Sequence, residues 1–327
     1  MTNRTVLVLL DPATEVRSSV LELFTVARGL GTVEAVALEA PTVEVLAQLG
    51  AYGVETVRQA EFSAAGGGVV KGDERHLPAL VAAALTAAVR RADADVVLLP
   101  SSFAAKEAAA LTAHALGAGL IIDAAGVAEG ADGRVVGSKR VFAGSWDTAC
   151  AVTTPVAVLT MRANAVVPVP ADAPVNTETE PLAVDVPESA VTLTSREVKP
   201  RVGDRPPLEE AAIVVAGGRG TDGDFAPVVE LADALGAAVG ASRDAVFEGW
   251  WDTYVGQTGV TVAPRVYIGA GISGAPHHRG GMQASQHIVA VNSDPEAPIF
   301  EICDFAVIGE LADVLPQAAE EIRRHKG

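Results

Sequence analysis

The residues of this chain best suited to chemistry gather in its last third, where glycine-rich turns interrupt an apolar, Ala- and Val-rich sequence. They are GASR at 240–243, VGQTG at 255–259, GISGAPHH at 271–278 and the run VNSDPEAPIFEICDF at 291–305. Glycine lets backbone N–H groups come close to a ligand, and the Arg, Gln, Thr, Ser, His and Asn set among the glycines are hydrogen-bonding types. Together they suit a polar, flat, phosphate-bearing cofactor. In VGQTG, Gln257 and Thr258 place an amide and a hydroxyl on a tight turn framed by Val255, Gly256 and Gly259; the plainer reading is a surface loop. In GISGAPHH, a strand runs into Ser273, Gly274, Ala275, Pro276, His277 and His278 where a helix N-terminus is expected, although either histidine taken alone reads as an exposed side chain. GGRG at 217–220 contains Arg219 but matches neither GxGxxG nor the P-loop pattern, so it reads equally well as a plain strand-to-helix turn.

Other chemistries fit less well. His277 and His278 are adjacent and diverge, and neither they nor His287 have a cysteine or carboxylate at a ligand spacing, which argues against a transition metal. GISGA at 271–275 is not the GxSxG nucleophile elbow. Cys150 and Cys303 form no CxxC and no disulfide framework, which fits a reducing compartment, and Cys303 reads as a small buried residue in an apolar strand. His76, His114 and His325 read as solvated. Trp250, Trp251 and Tyr254 read as a packed aromatic cluster, with stacking on a ligand as the alternative. The 24 Lys and Arg against 41 Asp and Glu give a formal charge of −17, which argues against nucleic acid or an anionic membrane surface as the main partner, since both need a basic face. Apolar runs such as 80–89 stop well short of the ~20 residues of a membrane span. The strand-like run starting at Thr5 leaves no room for a signal peptide, so a cytoplasmic location without membrane insertion is expected.

The elements that position these turns alternate strand and helix. TVLVLLD at 5–11 reads as a strand buried on both faces, and 15–29 carries Val16, Val20, Leu23, Phe24 and Ala27 at helical spacing. Strands at 33–40, 54–60 and 96–101 and helices at 43–49, 77–91 and 104–117 continue the pattern and predict a parallel sheet with right-handed crossovers. The runs 120–127, 134–141, 149–154 and 156–162 lack intervening helices and suit a later, partly antiparallel portion of the sheet. The stretch 165–200 is too proline-dense for a helix or a central strand and reads as an extended crossing between domains. A second unit follows: strands at 213–216, 266–269, 288–292 and 305–308, with helices at 227–235 and 311–324. The expected organisation is α/β in two domains, an N-terminal scaffold at 1–200 with its linker at about 165–205, and a Rossmann-like parallel-sheet domain at 206–327.

At these same turns the chain resembles the α subunit of electron transfer flavoprotein. The match runs from Ile213 to Leu315 and includes VVAGGRG, VVELADALGAAVGASR, VGQTG, VAPRVYIGAGISGA and DPEAPIFEICDF in order. The resemblance implies a nucleotide-hydrolase-like first domain and one FAD in the second, in a cleft completed by a separate β subunit. It implies that Arg219 and Ser242 meet the phosphate and ribityl region, and that Arg243 lies over the isoalloxazine ring. Gln257 and Thr258, with Val255, Gly256 and Gly259 around them, would line the ring. Ser273 to His278 would wrap the pyrophosphate and ribityl chain, with His278 near ring atom O2, and Asn292, Glu310 and Leu311 would hold the adenosine end. It further implies a non-enzymatic electron carrier, as in fatty acid β-oxidation, taking electrons from flavoprotein dehydrogenases of the acyl-CoA dehydrogenase type and delivering them to a quinone oxidoreductase. The residue reading alone also admits an NAD(P)-binding oxidoreductase using the same turns. Pro276 and His277 depart from the family pattern, as do Glu310, Val260 and the WWDTY at 250–254 that leads into VGQTG.

Overall fold

The computed structural model describes residues 4–64, 70, 72–142, 145–186, 193–195, 197 and 205–326. Contacts group the chain into two compact units, Met1–Lys139 with Thr148–Val198, and Lys199–Gly327 with Arg140–Asp147.

The first unit follows from its alternating pattern. Strand β1 (Arg4–Leu10) sends Val6, Val8 and Leu10 to one face and Leu7 and Leu9 to the other, and each set joins a separate buried cluster. A strand apolar on both faces needs helices on both, and they are present. Helices α1 (Ser18–Arg28) and α2 (Val43–Ala51) follow β1 and β2 (Gly31–Ala37). Strand β3 (Thr56–Ala64) leads to α3 (Pro78–Ala92), and β4 (Val96–Pro100) to α4 (Phe103–Leu116). Helix α4 starts where the Ser102 hydroxyl accepts the Ala105 N–H at 3.2 Å, and it ends at Gly117 in the left-handed conformation, φ 61°.

The run at 120–127 is two strands, not one. Strand β5 (Gly119–Ala124) stays in the main sheet, whereas β6 (Gly126–Glu129) leaves it to pair antiparallel with β7 (Val135–Val141), which neighbours β8 (Trp146–Ala151). The break is a register shift at Asp123, whose φ is 57° and whose N–H is held by the Thr160 hydroxyl at 3.0 Å. Among the described residues only this small sheet carries antiparallel pairing; β9 (Ala157–Met161) pairs parallel with both β4 and β5.

The proline-rich stretch does more than cross. Within the first unit, the Val169 N–H donates to the Thr25 hydroxyl and the Val175 N–H to the Gly50 carbonyl, and Glu178–Val186 adds strand β10, parallel to β3 at the sheet edge, a position that tolerates Pro181. The sheet order is β10-β3-β2-β1-β4-β9-β5. Residues 187–192, 196 and 198–204 of the expected linker lie outside those described. His76, read as solvated, lies 3.0 Å from Asp11 through Nδ1 and is largely buried.

In the second unit, β11 (Ile213–Gly217) is followed by α5 (Ala226–Leu235), β12 (Ala238–Ala241), the one-turn helix α6 (Arg243–Phe247) and β13 (Val266–Ala270). Then come α7 (Pro276–Met282), β14 (His287–Asn292), β15 (Phe305–Ile308) and α8 (Leu311–Lys326). All five strands are parallel, in the order β12-β11-β13-β14-β15. Helices α5 and α8 cover one face; Tyr267, Met282 and Ile299 anchor the cluster on the other. Cys303 precedes β15 instead of lying within a strand, and its Sγ contacts the Phe300 carbonyl at 3.6 Å.

Arg58 ties the β10 edge to the sheet. It is 8% exposed on β3 and forms a bidentate pair with Glu34 of β2, at 2.5 and 3.0 Å, and a third bond to Glu180 of β10 at 3.1 Å. Arg58→Met strands the largely buried Glu34 carboxylate and is expected to lower unfolding free energy by about 3–5 kcal/mol, read from the denaturant midpoint. Glu180→Gln, at a half-exposed carboxylate, is expected to cost under about 1 kcal/mol.

Candidate functional site

Strand order in the second unit reverses between β11 and β13, and ligands of open parallel sheets bind at the carboxyl ends flanking such a switch. The turns after those two strands are GGRG and GISGA, and they are packed backbone on backbone. The Gly218 N–H donates to the Ala270 carbonyl at 2.8 Å and the Gly220 N–H to the Gly271 carbonyl at 3.0 Å. A Cβ on Gly218 would stand 2.2 Å from the Gly271 carbonyl oxygen, and Gly271 itself has φ 62°. These glycines are therefore required by the meeting of two turns. The sequence suggested ligand approach or a plain turn, and neither names this packing.

The VGQTG turn is seated in the same way. Its Gln257 N–H donates to the His277 carbonyl at 2.8 Å, the Val262 N–H to the Gly281 carbonyl at 2.8 Å, and a Cβ on Gly281 would fall 2.4 Å from Gly256 Cα. Ser242 caps α6 through a 3.3 Å bond from the Ala245 N–H and donates its own N–H to the Gly217 carbonyl at 2.8 Å. Its neighbour Arg243 thereby starts the helix at the mouth of the site.

Together these turns enclose a cavity of about 440 Å³, inside the range of roughly 300–1,000 Å³ typical of ligand sites. Arg219, Ser242, Arg243, Val255, Gly256 and Thr258 form one part of its wall; Ser273, Ala275, His277, His278 and Asn292 form another. Gln257, Gly259, Gly274, Pro276, Glu310 and Leu311 do not line it. Gln257 instead bonds His277 through its side chain at 3.3 Å, Gly274 packs on Ile299 with φ 84°, and Leu311 is buried beside Gly271. Tyr254, Asp244, Gly271, Ile272, Asp294 and Ala297 also line it. Gly271, Ile272, Asp294 and Ala297 fall within the runs singled out in the sequence, though not as named site residues, and Tyr254 within the aromatic cluster; Asp244 carried no signal. Trp251 stacks on Phe225, with centroids 5.0 Å apart, and Trp250 packs on the core, so the packed reading holds for both.

The two adjacent histidines face different surroundings. His277 is exposed, whereas His278 is 7% exposed and its Nε2 lies 2.8 Å from the Tyr267 hydroxyl. His278 Nδ1 is buried and forms no hydrogen bond of full geometry, with only the weak pull of the Val255 carbonyl on the ring, which leaves it suited to an acceptor on a bound ligand. Burial lowers the His278 pKa to about 4, opposed in part by the Val255 carbonyl, so the ring is neutral at pH 7. Pro276 is the first residue of α7, where a helical N–H has no intrahelical partner to lose. Arg219 lies 3.4 Å from Asp244, both exposed; among the described residues Arg243 pairs with no carboxylate and sits 6.0 Å from the Phe247 ring centroid.

A five-stranded parallel sheet with a polar cavity at its switch point defines a Rossmann-like cofactor-binding unit. Residues 207–283 match the family model described as electron transfer flavoprotein FAD-binding domain, and residues 5–187 match the electron transfer flavoprotein domain. The chain is 41% identical over 316 residues to the electron transfer flavoprotein subunit alpha of Mycobacterium leprae, covering 94% of each. It is 37% identical over 240 residues to that of Bacillus subtilis, covering 72% of this chain and 73% of the relative. A match to the Paracoccus denitrificans subunit is 54% identical over 118 residues, 35% of this chain and 38% of the relative. The chain belongs to the electron transfer flavoprotein family, as an α subunit, and its second unit is the family's FAD-binding domain. No described helix is long and apolar enough to cross a membrane.

A histidine whose folded pKa lies below its unfolded value of 6.5 costs stability when protonated, because the unfolded chain binds the proton more tightly. Stability is therefore expected to be full above pH 6.5 and to fall as pH drops toward about 4, by at most about 3 kcal/mol from this group. His278→Leu should flatten that part of the profile in pH-dependent denaturant titrations.

Proposed function

We propose that the cavity of the second unit holds FAD, that a β subunit completes the site, and that the pair shuttles electrons without transforming a substrate itself. Flavoprotein dehydrogenases of the acyl-CoA dehydrogenase type are the proposed donors, a quinone oxidoreductase the proposed acceptor, and the cytoplasm the proposed location. The observation that carries this reading is the cavity itself. Four glycine turns bring two guanidinium groups, the Ser242, Thr258 and Ser273 hydroxyls and a buried imidazole nitrogen with no full-geometry hydrogen bond to the walls of one cavity at a sheet switch point.

The donor set fits the cofactor. FAD, when bound, supplies the capacity to take up and release electrons one or two at a time. Ser242, Ser273 and Arg219 offer donors to its phosphates and hydroxyls, with the Arg219 charge shared with Asp244. His278 is neutral, so it contributes a hydrogen bond and no charge. Fixed positive charge at the wall then rests with Arg243, which has no acidic partner among the described residues and stabilises negative charge that accumulates on reduction. Thr258 is held from behind by Tyr254, whose hydroxyl donates to the Thr258 carbonyl at 2.9 Å and lies 3.2 Å from its Oγ1.

The test of the assembly is retention of flavin. This chain alone is expected to lose FAD on desalting, and the co-expressed heterodimer to keep it near one per pair, because a wall formed by one domain leaves the cofactor part-exposed. Colourless protein in both cases would overturn the reading, and nicotinamide affinity would favour a dehydrogenase instead. Within the heterodimer, Arg243→Ala should leave folding intact and lower the first one-electron potential by roughly 40–90 mV, the equivalent of ~1–2 kcal/mol. Potentiometric titration measures it, and an unchanged potential would remove Arg243 from this role.

A further inference from the structure

The buried bond between Tyr267 and His278 has two possible proton arrangements, and the surroundings choose between them. Tyr267 is fully buried in β13, and its hydroxyl has His278 Nε2, at 2.8 Å, as its hydrogen-bond partner. If Nε2 carried the proton it would donate to the phenol oxygen. The phenol O–H would then have no acceptor inside a closed core, and Nδ1 would present an unsatisfied lone pair as well. If the phenol donates, Nε2 accepts and the proton sits on Nδ1, leaving an N–H where His278 meets the cavity that is unspent except for its weak attraction to the Val255 carbonyl. The second arrangement leaves one buried group unmatched where the first leaves two, and each such group shifts an equilibrium by about fivefold or more.

We propose that Tyr267 is a positioning residue that locks His278 as the neutral Nδ1–H tautomer, so that the cavity wall offers a fixed donor to an acceptor atom of the bound cofactor. Burial supports this from both sides: it holds the phenol well above its usual pKa, so it remains a donor, and it keeps the imidazole uncharged. The sequence placed a histidine in this turn but had no sign of the strand residue eleven positions earlier that sets its proton. The assignment to a cofactor acceptor rests on the FAD reading above, whereas the tautomer does not.

Nitrogen-15 histidine labelling of the full-length chain, read by long-range proton–nitrogen correlation at neutral pH, tests the tautomer directly. His278 should show a protonated Nδ1 and a bare Nε2, and Tyr267→Phe should move the ratio toward Nε2–H by at least about fivefold. An Nε2–H signal in the wild type, or an unchanged ratio in a folded Tyr267→Phe, would overturn the proposal, and the wild-type reading decides even where the variant fails to fold. In the heterodimer loaded with FAD, Tyr267→Phe and His278→Leu should shift the flavin absorption bands in the same direction, and the double variant should shift them no further. Additive shifts would show that Tyr267 does not act through His278. A heterodimer that retains no FAD overturns the cofactor assignment while the labelled chain still decides the tautomer.

Discussion

The site depends on close approach of backbone to backbone at four glycines. Gly218 and Gly220 lie against Gly271, and Gly281 lies against the Gly256 backbone, at separations that leave no space for a Cβ on Gly218, Gly220, Gly271 or Gly281. The first contact joins the ends of β11 and β13 across the sheet's switch point; the second seats the 255–259 turn on α7. A side chain at any of these positions would need either a shift of backbone or a splayed pair of turns, and overpacking of that kind costs about 1–3 kcal/mol. The cavity is the space left when the turns are pulled this close at their bases and diverge at their tips.

Close packing at the base fixes the electrostatics of the wall. The contact that seats α7 buries His278 and removes it as a cation, because desolvation outweighs the help of the Val255 carbonyl. Arg243 starts a one-turn helix at the cavity mouth, where its side chain is exposed and Phe247 lies beneath its guanidinium. A neutral donor and a solvated cation thus come from neighbouring turns, and each follows from how deeply its turn is set. Two cations at the same depth would repel each other and cost desolvation twice.

Much of the architecture was legible in the sequence because its signals are local. An apolar run on both faces gave β1, helical spacing ended by glycine gave α1, and 266 to 278 read correctly as strand, turn and helix start. The misses are non-local. Strand β12 is four residues long and α6 five, too short for a periodicity to show. The split at Asp123 depends on a left-handed residue held by Thr160, 37 positions away, and β10 gains its strand character from pairing with β3. The site was legible as a set of turns. Which side chains reach the cavity was not, because Gly271, Ile272 and Ala297 present ordinary residue types whose placement only the packed turns decide.

The same distinction separates residues that hold the site from residues that face it. Asn292 lines the cavity, yet its amide donates to the Ile272 carbonyl at 3.0 Å and its oxygen accepts the Asp294 N–H at 3.1 Å, so half of its hydrogen-bonding capacity is spent in joining the turns after β13 and β14. Leu311 lies outside the cavity, but its side chain packs where a Cβ on Gly271 would stand, and so sets how far the GISGA turn can retreat toward α8. Arg279 works in the same manner: it bonds the Gly274 carbonyl at 2.6 Å, the Pro298 carbonyl, and Glu301 at 2.9 Å, clamping the turn to the segment before β15. Preorganisation here resides largely in side chains that a bound cofactor would never touch, because a donor is useful only when its turn cannot move away from the acceptor.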